Sequence, residues 1–220
     1  MALWLSPHPL VLASKSASRR ALIEAAGVPA EIRPADIDER GIEERAGLTD
    51  PGEAAALLAR EKAKAVAKEL PGRYVLGADQ TLALGTRRFS KPKDRAAAAD
   101  QLRTMRGQMH ALHSALAVAK DGAIVFECID VARLTMRNFS EDFLQAYLDA
   151  VGPLVTTSVG AYQLEGAGIQ LFDSVEGHHS TILGLPLLPL LLMVLLKLLS
   201  AVNKMRLPPF AYAEAVTLIM

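Results

Sequence analysis

The sequence has very little cysteine and no excess of charge of either sign. It contains one cysteine, Cys128, in 220 residues, which excludes an intramolecular disulfide and a metal site built from several cysteines. Lys and Arg together number 24, as do Asp and Glu, so no net positive field exists to hold nucleic acid nonspecifically. Residues 1–9 lack a positively charged stretch ahead of an apolar run, and we therefore expect a cytoplasmic protein without a signal peptide.

Two motifs are also missing, and their absence narrows the chemistry. No GxxxxGK[ST] segment occurs, which excludes a P-loop nucleotide hydrolase, and no GxSxG or Cys/His signature supports covalent catalysis. What is present is a composition of 51% hydrophobic and 22% charged residues, which is typical of a folded globular protein. We expect one domain over residues 1–202 and a loosely attached tail over residues 203–220, where no clear period is visible.

The longest apolar run, Gly184–Val202, is long enough in principle to span a bilayer, which takes roughly 20 apolar residues. Pro186 and Pro189 interrupt its start, and Lys197 lies inside it, where a charged side chain costs about 2.5 kcal/mol or more on insertion. The uninterrupted part is therefore short, and we expect a buried core helix and no membrane contact. A membrane-associated protein anchored by this run is the alternative.

Strand-like and helix-like segments alternate along the chain and predict an α/β fold with a mixed sheet. Leu10–Ala13 is a short buried strand, Asp50–Glu53 is a good helix start, and Arg73–Ala78 is a strand that ends at Asp79. Asp121-Gly122 separates two long apolar segments and indicates a hairpin. Because the hairpin makes neighbouring strands antiparallel, a purely parallel sheet is excluded.

The loop Ser14–Arg20 joins the first strand to a helix and is rich in hydroxyl and small residues. Such a loop leaves backbone N–H groups free at the helix N-terminus, which is a natural site for phosphate. Arg19 and Arg20 add charge, and a guanidinium group can grip phosphate through two parallel hydrogen bonds. A solvated basic helix start is the alternative interpretation.

Carboxylates at two places predict metal binding or proton transfer. Asp79 follows an apolar strand, where it could hold a divalent cation or act as a general base towards water, although an ordinary turn residue is the alternative. Asp36, Asp38 and Glu39 provide oxygen ligands that suit magnesium or manganese, with a solvated acidic loop as the alternative.

Two lysines and one glycine-rich loop complete the candidate site. Lys62 on a predicted helix and Lys91 before a proline are point charges suited to phosphate, although each could be a surface residue. The segment Gly160–Gly168 predicts a tight loop near a ligand, and its Glu165 could accept hydrogen bonds from a base edge with two donors, as guanine has.

These segments together resemble the Maf family of nucleoside triphosphate pyrophosphatases. Six ordered blocks carry the resemblance: Leu10–Arg20, Asp36–Glu39, Glu61–Ala63, Gly77–Asp79, Lys91-Pro92, and a late block with Glu165-Gly166, Glu176-Gly177 and Gly184–Leu187. The resemblance implies a two-lobed α/β fold like that of the inosine triphosphate pyrophosphatases, with a central cleft. It also implies hydrolysis of a nucleoside triphosphate to the monophosphate and pyrophosphate with Mg²⁺ or Mn²⁺.

Site roles follow from the same resemblance, position by position. Asp79 matches the catalytic carboxylate, and Glu39 matches an acidic position that would help Asp79 to hold the metal. The residues that match the triphosphate-binding positions are Ser14, Ser16, Arg19, Arg20, Lys62 and Lys91.

Three positions bear on which nucleotide is selected. The branch that acts on dTTP and UTP usually has Thr after the catalytic Asp and Gln in the late loop, whereas this chain has Gln80 and Glu165. That pairing resembles the branch that acts on 7-methyl-GTP. Ser18 stands where this branch often has a Trp that could stack on the methylated cationic base.

Four further alternatives stay open at this level. The chain could act on dTTP or UTP, or it could be a house-cleaning enzyme of broad specificity for modified nucleotides. It could also be a non-catalytic nucleotide-binding regulator, because members of this family have been linked to inhibition of septum formation. A homodimer is kept as an alternative to a monomer.

Overall fold

The structure is a computed structural model that describes residue 4 and residues 6–194. Among these residues, seven strands form one mixed sheet. The strands are β1 (Leu10–Leu12), β2 (Ala30–Ile32), β3 (Tyr74–Leu84), β4 (Arg87–Phe89), β5 (Met109–Lys120), β6 (Ala123–Met136) and β7 (Phe172–Glu176).

The helices flank this sheet, and most of them begin at a side chain that accepts a hydrogen bond from the first turn. They are α1 (Ala17–Ala25), α2 (Glu39–Ala46), α3 (Pro51–Ala67), α4 (Arg95–Met105), α5 (Glu141–Val151) and α6 (His179–Ile182). Side chains cap the first five, namely Ser16, Asp38, Asp50, Asp94 and Ser140. Three 3-10 helices lie between α5 and β7, at Gly152–Thr156, Val159–Ala161 and Ala167–Leu171.

The strand order is β2-β1-β3-β5-β6-β7, and β4 pairs with β3. β1 is parallel to both β2 and β3, whereas all pairs from β3 onward are antiparallel. The β5–β6 hairpin turns through Asp121 and Gly122, which both have positive φ, as a tight two-residue turn requires. The predicted mixed α/β fold is therefore confirmed.

Helix α3 lies unusually close to strand β3, because both surfaces are made of small residues. A Cβ added to Gly77 would stand 2.1 Å from the carbonyl oxygen of Ala59 and 2.6 Å from the nitrogen of Ala63. Glycine therefore allows the helix backbone to approach the strand directly. The contact brings the α3 residue Lys62 beside the β3 residue Asp79.

The long strands β3, β5 and β6 contribute to separate hydrophobic clusters at their two ends. Val75, Leu76 and Ala78 of β3 pack in clusters with α1 and α3, whereas Leu82 packs in a cluster with α4 and α5. Asp79 and Gln80 lie between these two regions and line a cleft. This arrangement agrees with the predicted two lobes around a central cleft.

Three local predictions were wrong at their boundaries, and the first is the loop Ser14–Arg20, since Ser16 caps α1 and the helix begins at Ala17. The predicted strand end at Asp79 is wrong, since β3 continues through Asp79 and Gln80 to Leu84, paired with β5. The predicted acidic loop is also wrong at its end, since Asp38 caps α2 and Glu39 is its first residue.

The predicted core helix in Gly184–Val202 is described only in part. Residues 187–194 are helical, and Leu190 and Met193 are buried in the cluster that covers α1 and β1. Residues 195–202 and the predicted tail, residues 203–220, lie outside the described residues. No helix within residues 6–194 is long and apolar enough to cross a membrane.

Candidate active site

The cleft has a volume of about 640 Å³. Residues from both lobes line it, and they include basic, hydroxyl and carboxylate side chains. Its polar lining side chains are Ser14, Lys15, Ser16, Ser18, Arg19, Asp36, Glu39, Lys62, Asp79, Gln80, Lys91, Thr157, Ser158, Tyr162, Gln163 and Glu165. All the sequence-predicted site residues except Arg20 and Asp38 are among them, since Asp38 instead caps α2.

The N-terminus of α1 opens into this cleft. Ser16 caps the helix by accepting a hydrogen bond from the backbone N–H of Arg19 (3.3 Å). The hydroxyl oxygen of Ser14 in turn accepts one from the backbone N–H of Ser16 (3.2 Å). The two hydroxyl groups thus order the turn that leads from β1 into the helix, and the positive end of the helix dipole favours an anion there.

Arg19 is buried and ties three segments together at the edge of the cleft. Its Nε donates to the carbonyl oxygen of Gly184 (2.8 Å), and its Nη1 donates to the carbonyl oxygen of Ala78 (2.8 Å) and to Oγ of Ser14 (3.2 Å). Burial lowers the pKa of the Arg19 guanidinium, while the charge of Asp79 opposes this shift. Its Nη2 makes none of these bonds, and the residue faces the cleft.

Arg20 is placed differently from its neighbour. Its side chain is 59% exposed, and its Nε forms an ion pair with Glu24 one turn along α1 (2.7 Å). An exposed pair of this kind contributes little to stability and is easily exchanged for another partner. Arg20 does not line the cleft in this structure, so its predicted role in substrate binding stays a prediction.

Lys62, Asp79 and Glu39 form a charged cluster on the floor of the cleft. The Lys62 ammonium lies 2.7 Å from Oδ1 of Asp79 and 3.0 Å from Oε1 of Glu39. The Lys62 and Asp79 side chains are 10% and 14% exposed, whereas Glu39 is 50% exposed. The mostly buried Lys62 and Asp79 thus have each other as ionic partners, as buried charged side chains require, and Glu39 is a second, more exposed partner of Lys62.

The donor atoms of this cluster suit a hard divalent cation. Two carboxylate oxygens converge on one cationic group, and oxygen ligands are those that Mg²⁺ and Mn²⁺ prefer. Asp79 and Glu39 thus offer the kind of ligand atoms that the predicted metal requires, and the metal itself stays a prediction. Within the described part of the chain, no group of three or more His, Cys, Asp or Glu side chains is arranged to hold an ion.

Gln80 lies on the opposite side of β3 from this cluster. Its Nε2 donates to Oγ of Ser114 (2.8 Å) and to the carbonyl oxygens of Thr181 and Ile182 (3.0 Å each). Sequence reasoning did not identify Ser114 or Thr181, because neither residue belongs to a recognisable motif. The amide of Gln80 therefore joins the sheet to α6.

The predicted glycine-rich loop forms the far wall of the cleft. Glu165 is exposed there, and Thr157 and Ser158 add hydroxyl groups that the sequence analysis missed. Gly160 needs its positive φ, and a Cβ there would stand 2.6 Å from both Leu82 and Tyr162. Tyr162 is the aromatic residue of the described lining, and Oγ of Ser158 donates to its carbonyl oxygen (2.6 Å).

Three further polar side chains line the cleft near these groups. Lys91 and Lys15 are exposed and line the cleft, which places two more ammonium groups within reach of an anion. Lys15 was missed by sequence analysis, although it stands inside the predicted phosphate loop. Ser18 also lines the cleft and is half-buried.

Cys128 lies outside this cleft. The thiol is half-buried in β6, and burial raises its pKa to about 12. A thiol with so high a pKa is almost entirely protonated at neutral pH and is a poor nucleophile. Its contacts are with the apolar cluster that contains Leu116 and Val118, which fits a packing role.

Comparison with known proteins identifies relatives over most of the chain. The family model described as "Maf-like protein" matches residues 9–197. A protein from Rhodopseudomonas palustris named "Nucleoside triphosphate pyrophosphatase" is 60% identical over 87% of this chain and 95% of its own length. A protein from Rhizobium etli named "7-methyl-GTP pyrophosphatase" is 50% identical over 83% of this chain and 92% of its own length.

A solved structure is also similar, at a lower level. A HAM1 protein from Coxiella burnetii aligns with 60% of this chain and 74% of its own length, with 20% sequence identity and a TM-score of 0.42. The family match and the relatives in sequence are far stronger, and they cover the cleft residues of both lobes. The chain belongs to the Maf family, as the ordered motifs predicted.

Proposed function

We propose that this chain hydrolyses 7-methyl-GTP to the monophosphate and pyrophosphate. The broader enzyme class, nucleoside triphosphate pyrophosphatase, is confirmed by the names of relatives that are up to 60% identical. The preference for 7-methyl-GTP is supported by the Gln80 and Glu165 pairing and by the name of the 50% identical relative from Rhizobium etli.

The observation that carries the hydrolytic part of the proposal is the position of the Lys62, Asp79 and Glu39 cluster. It lies in one cleft with the N-terminus of α1 and the basic residues around it. A triphosphate needs several positive groups that neutralise its charge. Attack of water on its α-phosphorus needs a carboxylate near these groups that accepts the proton of the water. The cleft provides both within a single cavity that joins the two lobes.

The triphosphate would lie along the turn that precedes α1. Ser14 and Ser16 order that turn, and its backbone N–H groups and the helix dipole favour phosphate oxygens. Arg19, Lys62 and Lys91 would neutralise the remaining charge. Arg20 would join them only by leaving Glu24, which the weakness of an exposed pair permits.

Asp79 and Glu39 would hold the divalent metal. When bound, the metal would neutralise phosphate charge and polarise the phosphoryl group. Lys62 would then lie beside both ligands and the substrate. The ion pairs with Lys62 use Oε1 of Glu39 and Oδ1 of Asp79, so Oε2 and Oδ2 are the oxygens that would hold the metal.

Asp79 would accept the proton of the attacking water. The water oxygen forms a bond to the α-phosphorus, the bond from that phosphorus to the bridging oxygen breaks, and pyrophosphate leaves. Arg19, Lys62 and Lys91 would stabilise the charge that accumulates on the departing oxygens. Most of the acceleration would come from positioning and fixed charges, as in other phosphoryl transfer reactions.

Glu165 would select the base. Its carboxylate accepts hydrogen bonds, which matches the N1–H and 2-amino donors on one edge of guanine. Ser18 has no ring that could stack on a methylated base, and this favours a broad range of modified nucleotides as the second candidate substrate. Hydrolysis of dTTP or UTP is a further alternative. The cytoplasmic location, the absence of membrane and nucleic-acid partners and a homodimer stay predictions.

Release of pyrophosphate with magnesium or manganese tests the proposal. The substrates are 7-methyl-GTP, GTP, UTP, dTTP and CTP, each over a range of concentrations. We expect the highest kcat/KM with 7-methyl-GTP. A preference for UTP or dTTP would contradict the selectivity and retain the enzyme class, whereas bound nucleotide without any release would favour the regulator.

A further inference from the structure

We propose that Thr181 is a positioning residue for substrate selection, because it helps to hold the amide of Gln80 in one orientation. This inference rests on the proposed function, since it concerns how the same cleft chooses a base. Thr181 and Ser114 are fully buried and lie behind the cleft lining. Neither would touch the nucleotide.

The orientation of the Gln80 amide follows from the atoms around it. Two of the three groups near its Nε2 are backbone carbonyl oxygens, those of Thr181 and Ile182. The third, the Ser114 hydroxyl, gives its own proton to the carbonyl of Thr181 (2.7 Å) and so also acts as an acceptor. All three groups therefore act as acceptors towards Gln80 and share the two protons of its amide nitrogen.

A flipped amide would place Oε1 against these same groups. Two carbonyl oxygens would then face a third oxygen at hydrogen-bond distance, and no proton would lie between them. The network therefore fixes Nε2 towards α6 and leaves Oε1 for the opposite direction. Because Gln80 lines the cleft, the group it offers to a ligand is a hydrogen-bond acceptor.

Thr181 is itself held from the neighbouring strand. Its hydroxyl donates to Oδ2 of Asp130 on β6, and Oδ1 of Asp130 accepts from the backbone N–H of Val131 (2.9 Å). The anchor fixes the position of the Thr181 carbonyl and thereby the amide of Gln80. A chain of hydrogen bonds thus runs from β6 through α6 to the cleft.

The chemical consequence is a second acceptor beside Glu165. Oε1 of Gln80 and the carboxylate of Glu165 would both accept hydrogen bonds from a base edge that carries donors. They would bind adenine less well, because its N1 is an acceptor at the position where guanine has a donor. The ratio of kcat/KM for 7-methyl-GTP to that for ATP therefore measures the orientation of the amide.

The test compares this ratio in Thr181→Val, Thr181→Ser and Ser114→Ala with that of the wild-type protein. Thr181→Val keeps the shape and removes the hydroxyl, and we expect the ratio to fall roughly tenfold. Thr181→Ser keeps the hydroxyl and should restore most of the wild-type ratio. Ser114→Ala removes one partner of Gln80 directly and provides an independent variant if Thr181→Val does not fold.

The control is Ser140→Ala, which removes the cap of α5 away from the cleft and should leave the ratio unchanged despite a loss of stability. If the wild-type enzyme is selective and a folded Thr181→Val or Ser114→Ala variant has the same ratio, this inference is overturned and the proposed function stands. A wild-type protein that releases no pyrophosphate overturns the proposed function, and this inference falls with it.

Discussion

The ammonium nitrogen of Lys62 lies 2.7 Å from a carboxylate oxygen of Asp79, in a contact between α3 and β3 that Gly77 makes possible. The same nitrogen is 3.0 Å from Glu39, at the start of α2. One cation therefore compensates two acidic side chains from different elements. The cluster couples the stability of this lobe to the groups proposed for catalysis.

Replacement of Lys62 by Met should destabilise the protein by about 1–3 kcal/mol, because two carboxylates lose their shared cation and Asp79 is mostly buried. Added Mg²⁺ should recover more stability in this variant than in the wild type, since a divalent ion can take over the compensation. Thermal unfolding with and without Mg²⁺ measures both effects. Lys64→Met, on the same helix but more exposed, is the matched control and should change little.

Replacement of Asp79 by Asn should lower kcat for pyrophosphate release by about 10²–10⁴-fold, because an amide cannot accept the proton of the attacking water. Circular dichroism should show that the fold is retained. Asp149→Asn changes an exposed carboxylate far from the cleft and should leave kcat unaltered. Wild-type turnover in a folded Asp79→Asn protein would remove Asp79 from the mechanism.

Replacement of Arg19 by Lys should reduce both stability and kcat/KM. A lysine cannot reach the carbonyl oxygens of Gly184 and Ala78 at the same time, so at least one buried charged hydrogen bond is lost, at about 1.5–3 kcal/mol. Arg20→Lys keeps the charge at an exposed position and should leave stability unchanged. Urea unfolding and the KM for 7-methyl-GTP separate the two residues, and equal destabilisation by both variants would contradict this account.

His110 should make the protein sensitive to acid. Burial lowers the pKa of this histidine from 6.5 to about 4, so the unfolded chain binds a proton there at a pH where the folded chain does not. Stability from this group is complete above about pH 6.5 and is lost as the pH falls towards 4, by about 3 kcal/mol in all. Urea unfolding at pH 7 and pH 4.5 measures the loss.

His110→Gln provides the comparison for this prediction. Glutamine does not titrate and can still bond to the hydroxyl of Tyr162, which lies 2.8 Å from Nε2 of the histidine. We expect a smaller loss of stability on acidification in this variant. His113→Gln, at a half-buried neighbour whose pKa is also lowered by burial, should change the acid response less. Identical losses in wild type and His110→Gln would show that other groups dominate.

The sequence predicted best where local signals and burial agree. Helix α3 begins at Asp50 and Pro51, which cap and initiate it, and the hairpin turns at Asp121-Gly122 as its residues require. The order of a strand, a polar turn and a helix from Leu10 onward was also predicted correctly, although α1 begins at Ala17 and takes up the second half of the predicted loop. In each case the relevant interactions lie within a few residues of one another.

Prediction was wrong where distant partners determine the structure. Asp79 and Gln80 look like a strand end, because polar residues usually interrupt a buried strand. They continue β3 because Lys62, Ser114 and Thr181 satisfy their side chains from other elements. Strand β7 is mostly exposed, so no apolar pattern marks it in the sequence. The contacts that determine the structure of both segments cannot be recognised from the neighbouring residues in the sequence.

The adjacency of Asp79 and Gln80 has a consequence for descent within the family. Successive residues of a strand face opposite ways, so the proposed acid–base carboxylate turns to α3 while the amide of its neighbour turns to α6. The residue proposed for hydrolysis and a residue proposed for selectivity are thus adjacent in the sequence. On the proposed roles, changes at positions 80 and 165 together can redirect an enzyme to another nucleotide while its inherited hydrolytic apparatus is preserved.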